Sequence, residues 1–82
     1  MKVFITGGAG FIGSHIAEEY LLKDHNVTVY DNFSTGKMDN LQFATTNDSL
    51  KIIEGDIRDY PLLEQDIAGH DLIFHQAAIA SV

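Results

Sequence analysis

Residues 3–13 read Val3-Phe4-Ile5-Thr6-Gly7-Gly8-Ala9-Gly10-Phe11-Ile12-Gly13. A short apolar run passes directly into a glycine-rich turn, and the turn opens a segment with helical spacing. Such a junction aims several backbone N–H groups and the positive end of a helix dipole at one point, which suits a phosphate or pyrophosphate. The glycines have separable roles. Gly7 permits the tight turn, Gly10 lets a pyrophosphate approach where a Cβ would intrude, and Gly13 lets the helix pack closely on the strand.

Working outward, the apolar residues of 2–6 are consecutive rather than alternating, as in a parallel strand covered on both faces. Ile12, Ile16, Ala17, Tyr20 and Leu21 recur at helical spacing over 11–23, opposite Glu18, Glu19 and Lys23. Asp24-His25-Asn26 is a turn. Val27-Thr28-Val29-Tyr30 is a β-branched and aromatic strand that ends at Asp31. Residues 37–46 are ambiguous: Met38, Leu41 and Phe43 allow a short irregular helix that Thr45-Thr46-Asn47 breaks. Leu50–Glu54 is a third strand. Asp59 is placed to cap a helix that accepts Pro61 in its first turn, carries Leu62, Leu63 and Ile67 on one side, and ends at Gly69. A fourth strand starts over Asp71–Phe74. Strands alternating with helices predict an α/β fold with a parallel sheet. Right-handed crossovers give it the strand order 3-2-1-4.

The chain has 82 residues, enough for one small domain that buries about 60% of its unfolded surface. It carries a net charge of −7, which argues against binding nucleic acid or an anionic membrane, since both recruit Lys and Arg. No apolar run approaches the ~18 residues of a membrane span. The absence of cysteine removes disulfides and thiolate metal sites and fits a cytoplasmic protein. Residues 72–82 are almost wholly apolar, with no polar tail. This leads us to expect a truncated part of a longer protein, with an open apolar edge at the fourth strand that promotes self-association.

Four places carry the expected ligand contacts. The first is the glycine turn. The second is Asp31, eighteen positions after Gly13, where a carboxylate accepts from both ribose hydroxyls and repels a 2′-phosphate; this favours NAD over NADP. The third is Gly55-Asp56-Ile57-Arg58-Asp59, after the third strand. Asp56 is a candidate acceptor for the adenine amino group, Ile57 covers the ring, and Asp59 caps the following helix. The fourth is His75-Gln76-Ala77-Ala78-Ile79, next to the switch point of the sheet. There the small Ala77 and Ala78 admit the cofactor, and His75 reads as a packed structural residue. The remaining histidines, at 15, 25 and 70, have no metal-ligand spacing, so no metal site is expected.

Together these residues resemble the extended short-chain dehydrogenase/reductase family, within it the nucleotide-sugar epimerases and dehydratases, and among those the UDP-glucose 4-epimerases most. The resemblance rests on Thr6-Gly7-Gly8-Ala9-Gly10-Phe11-Ile12-Gly13-Ser14-His15, Asp31-Asn32-Phe33-Ser34-Thr35-Gly36, Gly55-Asp56-Ile57-Arg58-Asp59 and His75-Gln76-Ala77-Ala78. It implies a Rossmann-type sheet and NAD as cofactor. Phe11 and Ile12 would offer backbone N–H groups to the pyrophosphate. Asn32, Ser34, Thr35 and Gly36 would surround the adenosine, and Ile79 would join Ala77 and Ala78 around the nicotinamide half. In an epimerase of this kind, bound NAD takes a hydride from the sugar and returns it to the opposite face of a keto intermediate.

One departure is large. The family's catalytic pair is Tyr-x-x-x-Lys, and the residues four beyond Tyr20, Tyr30 and Tyr60 are Asp24, Ser34 and Glu64. No catalytic residue is therefore assigned within 1–82. These residues are expected to be the N-terminal part of an NAD-binding domain, without the catalytic and sugar-binding parts and inactive alone. A non-enzymatic dinucleotide-binding or scaffold module is the alternative.

Overall fold

The computed structural model describes residues 1–33, 36–44 and 47–76. The elements are β1 (Lys2–Thr6), α1 (Phe11–Leu22), β2 (Asn26–Asp31), a 3-10 segment (Met38–Ala44), β3 (Leu50–Glu54), α2 (Tyr60–Ile67) and β4 (Leu72–His75). All strand pairs are parallel, and the order is β3-β2-β1-β4. Thr6 pairs with Tyr30 on one side and His75 on the other, while Asp31 pairs with Glu54. The carboxyl ends of the four strands therefore lie along one edge of the sheet.

The central strands are buried on both faces, as their unbroken apolar runs require: Val3, Phe4, Ile5, Val29 and Tyr30 are wholly enclosed. On one face Val3, Ile5, Val27 and Val29 pack with Ala17 and Leu21 of α1 and with Leu41. The opposite face holds Phe4, Thr28 and Tyr30. There Phe4 meets Tyr30 at 5.7 Å and His70 at 5.0 Å between ring centroids. The His70 Nε2 lies 3.0 Å from the Thr28 hydroxyl. The outer strands β3 and β4 are only half-buried.

Residue chemistry explains the element ends. After α1 the chain turns through Asp24 at φ 63°, a left-handed conformation that a short polar side chain tolerates, with the His25 N–H donating to the Tyr20 carbonyl at 3.0 Å. The Asp59 carboxylate caps α2 by accepting from Leu62 N–H, and Gly69 takes φ 82° after the helix. Asp71 lies just outside β4 and ties it to β1: its carboxylate accepts from Lys2 N–H at 2.8 Å, and its own N–H donates to the Lys2 carbonyl.

One expectation about α1 needs correction, and the segment left open by the sequence takes the short irregular helix it allowed. Ile12 does not belong to the apolar stripe of α1. It lies in the first turn, beyond the edge of the sheet, and is 64% exposed; the buried positions are Gly13, Ser14, Ala17 and Leu21. The ambiguous segment resolves into a 3-10 helix anchored by Leu41, with Met38 and Phe43 about half exposed.

Candidate functional site

The glycine turn leaves the end of β1 at the carboxyl edge. Gly7 stands at φ 70°, a region that costs a side-chain-bearing residue strain. Its N–H donates to the Tyr30 carbonyl at 2.8 Å, which locks the turn to β2. Its carbonyl accepts from Gly10 N–H at 3.0 Å, and the Gly10 carbonyl receives Ser14 N–H at 2.9 Å as α1 begins. Gly13 packs against the turn itself rather than the strand: a Cβ there would collide with the Gly7 carbonyl oxygen and lie 2.8 Å from Gly8 Cα.

Gly10 is the N-cap of α1, so among the described residues no side chain caps the first N–H groups of the helix. In any α-helix these groups lack intrahelical partners. Phe11 and Ile12 therefore present backbone donors at the positive end of the dipole, with their side chains 74% and 64% exposed. Among the described residues a Cβ on Gly10 would touch only the Gly7 carbonyl oxygen, at 3.2 Å.

Asp31 is not a solvated strand end. It is 7% exposed. Its Oδ2 accepts the Ala9 N–H at 2.9 Å, and its Oδ1 accepts the Phe33 N–H at 2.7 Å. The Ala9 carbonyl is held from the other side by Lys37 N–H at 3.1 Å and the Asn40 side-chain amide at 2.7 Å. Gly36 is buried against Ala9 and the Asp31 carboxylate. The turn, the end of β2 and the segment from 36 to 40 thus form one hydrogen-bonded unit. Asn32 is exposed beside it, and Phe33, at φ 59°, packs against the core.

The loop after β3 lies alongside. The Gly55 N–H donates to the Asp31 carbonyl at 2.9 Å, and the Tyr30 hydroxyl donates to the Asp56 carbonyl at 3.0 Å. The Asp56 carboxylate binds the Arg58 guanidinium at 2.6 Å, which holds its pKa down at about 2. Ile57 is half-buried. Burial pushes the Tyr30 phenol up, helped by the negative charges of Asp59, Asp66 and Asp56.

His75, at the end of β4, is exposed rather than packed. Its ring Nδ1 lies 2.8 Å from the Thr6 hydroxyl, because the parallel register brings the two ends together. Ser34, Thr35, Ala77, Ala78 and Ile79 lie outside the described residues. Among the described residues no group of His, Asp and Glu is arranged to hold a metal ion, and no helix is long and apolar enough to cross a membrane.

The structure thus brings Gly7, Gly10, Phe11, Ile12, Gly13, Asp31, Asn32, Gly36, Asp56 and Ile57 to one edge. Sequence reading missed Ala9, Tyr30 and Asn40. Nothing in spacing marks a residue whose backbone is the functional part. Tyr30 was legible only as a strand residue.

Residues 3–82 match the model of the NAD dependent epimerase/dehydratase family. Over 81 residues the chain is 44% identical to UDP-N-acetyl-alpha-D-glucosaminuronate decarboxylase of Bacillus cytotoxicus, covering 99% of this chain and 25% of that protein. A dTDP-glucose 4,6-dehydratase from Streptomyces venezuelae, solved with NAD bound, superposes with a TM-score of 0.89 at 37% identity over 100% of this chain and 28% of its own. A UDP-N-acetylglucosamine 4-epimerase from Methanobrevibacter ruminantium gives 0.83 at 47% identity, over 99% and 25%. The chain spans about a quarter or less of the length of the curated relatives it matches.

Proposed function

The chain belongs to the NAD dependent epimerase/dehydratase family, and from that premise we propose that it is the dinucleotide-binding part of a nucleotide-sugar-transforming enzyme. One observation carries the proposal. A helix N-terminus with no side-chain cap among the described residues and a carboxylate-braced glycine turn meet at the carboxyl edge of a parallel sheet. That arrangement suits a dinucleotide with a diphosphate bridge and a ribose.

The residues fit NAD. Phe11 and Ile12 donate backbone N–H groups to the pyrophosphate, and Gly7, Gly10 and Gly13 allow its approach. Asp31 accepts from the adenosine ribose while its two backbone bonds keep it in place. Asn32, Ser34, Thr35 and Gly36 surround the adenosine, Asp56 and Ile57 meet the adenine, and Ala77, Ala78 and Ile79 line the nicotinamide half. When bound, NAD supplies hydride acceptance and return. This chain's residues bind and orient it and exclude a 2′-phosphate.

Residues 1–82 are then the N-terminal part of a Rossmann domain whose catalytic and sugar-binding residues belong to a longer, cytoplasmic protein. For that protein we propose 4-epimerisation of a UDP-sugar such as UDP-glucose. Support comes from the four motifs and from the 47% identity to the methanogen 4-epimerase. The 44% identity to a decarboxylase favours sugar-nucleotide decarboxylation as the second reading. The edge strand β4, with Ile73 47% exposed, supports self-association of the isolated chain, which light scattering against concentration would reveal.

Calorimetric titration with NAD and NADP tests the cofactor reading. Binding of NAD in preference to NADP, lost in Asp31→Ala, is the expected result. Equal binding of the two, or of neither, would contradict it.

A further inference from the structure

Tyr30 is wholly buried, yet it precedes Asp31 at the carboxyl edge and reaches toward the loop after β3. Its hydroxyl donates to the Asp56 carbonyl at 3.0 Å, and the same carbonyl accepts Asp59 N–H at 2.9 Å. One oxygen thus closes the turn into α2 and anchors it to β2. The loop also packs against the ring. A Cβ on Gly55 would stand 2.5 Å from Tyr30 Cζ and Oη, a separation that packed atoms do not adopt. The ring also packs beside Phe4, which meets His70 edge-on in turn.

The Gly55–Ile57 loop is therefore fixed at two points by adjacent residues of β2. The Asp31 carbonyl holds the Gly55 N–H, and the Tyr30 hydroxyl holds the Asp56 carbonyl. The carboxylate of Asp31 meanwhile holds the glycine turn. We infer that Tyr30 is a positioning residue that sets the adenine side of the site at a fixed distance from the phosphate side, selecting an adenine nucleotide over a bare diphosphate. The inference rests on the proposed role of Asp56 and Ile57 in holding adenine. Burial and three nearby carboxylates keep the phenol protonated, so the hydroxyl remains a donor.

Tyr30→Phe keeps the ring, its contact with Phe4 and its floor under Gly55, and removes only the hydroxyl. Two readouts test it. In amide hydrogen exchange, the Asp59 N–H is expected to exchange several-fold faster in the variant, while Val29 in the sheet centre stays unchanged. In titration, ADP affinity is expected to fall by roughly three- to tenfold, the loss of about one hydrogen bond, with inorganic pyrophosphate affinity unchanged. A general loss of stability would instead weaken both ligands alike and speed exchange throughout.

Unchanged exchange at Asp59, or equal weakening of ADP and pyrophosphate, would overturn the inference. If the unsubstituted chain binds neither ADP nor pyrophosphate, the proposed function fails, and the exchange comparison alone decides the role of Tyr30. Should Tyr30→Phe fail to fold, the unsubstituted chain still decides: a slowly exchanging Tyr30 hydroxyl proton with NMR cross-peaks to Asp56 and Asp59 is expected, and a rapidly exchanging hydroxyl without them would overturn the inference.

Discussion

Asp31 Oδ2 accepts the N–H of Ala9 at 2.9 Å, which ties the end of β2 to the middle of the glycine turn. The two residues lie 22 positions apart, and the carboxylate is nearly excluded from water. The bond makes Asp31 a structural brace of the turn, in addition to its proposed role as ribose acceptor.

Asp31→Ala is accordingly expected to destabilise the fold, not merely to reduce affinity. It strands the Ala9 and Phe33 N–H groups, at a cost of about 2–3 kcal/mol. For a domain of this size that lowers the thermal midpoint by roughly 10–20 °C. Calorimetric melting checks it. A midpoint within 3 °C of the unsubstituted chain would show that the brace contributes nothing.

Gly13 serves packing, whereas Gly10 is proposed to serve ligand approach. A Cβ on Gly13 meets the backbone of Gly7 and Gly8, which cannot retreat without opening the turn. Gly13→Ala is expected to cost about 1–3 kcal/mol in denaturant unfolding. Among the described residues a Cβ on Gly10 meets only one carbonyl oxygen, at 3.2 Å. Gly10→Ala should therefore leave unfolding within about 1 kcal/mol of the parent and weaken NAD binding at least tenfold. Equal effects of the two substitutions on stability would refute the distinction.

Much of this architecture was legible in the sequence. The unbroken apolar runs of β1 and β2 marked strands buried on both faces, and Asp59 with Pro61 marked the start of α2. Gly7 and Asp31 marked the carboxyl edge of the sheet, where the ligand is proposed to bind. What escaped were interactions between residues far apart in sequence whose partners are backbone atoms. The bond from Asn40 to the Ala9 carbonyl and that from Tyr30 to the Asp56 carbonyl leave no periodic trace. Ile12 was misassigned because helical spacing alone does not reveal that the first turn projects beyond the sheet.

Asp56 gives a prediction in acid. The Arg58 guanidinium lowers its folded pKa from the ordinary 3.8 to about 2. A depressed carboxyl contributes stability that is fully present above the unfolded value and lost as pH falls through the folded one. The chain should thus lose a small increment between about pH 4 and pH 2. That slope should flatten in Asp56→Asn and in high salt, because the pair is exposed. Urea unfolding at stepped pH measures it, and identical slopes in parent and variant would count against the pairing.

Asp66 is a site where removal should help. Its Oδ2 is buried with no hydrogen-bond partner among the described residues, near the carboxyl end of α2, where negative charge opposes the helix dipole. Asp66→Ala removes the unpaired oxygen and inserts the best helix former. A gain of about 1 kcal/mol is expected in denaturant unfolding. A loss would mean that this carboxylate has a partner in solution.

The most direct measurement of NAD binding at the glycine turn is a two-dimensional amide NMR titration of the chain with NAD. The Phe11 and Ile12 N–H resonances are expected to move strongly and saturably, with Ala9, Phe33 and Ile57 following. Lys51 and His70, away from that edge, should stay in place. Saturable shifts that bypass Phe11 and Ile12, or no shifts at all, would contradict the assignment of the helix N-terminus as the diphosphate site.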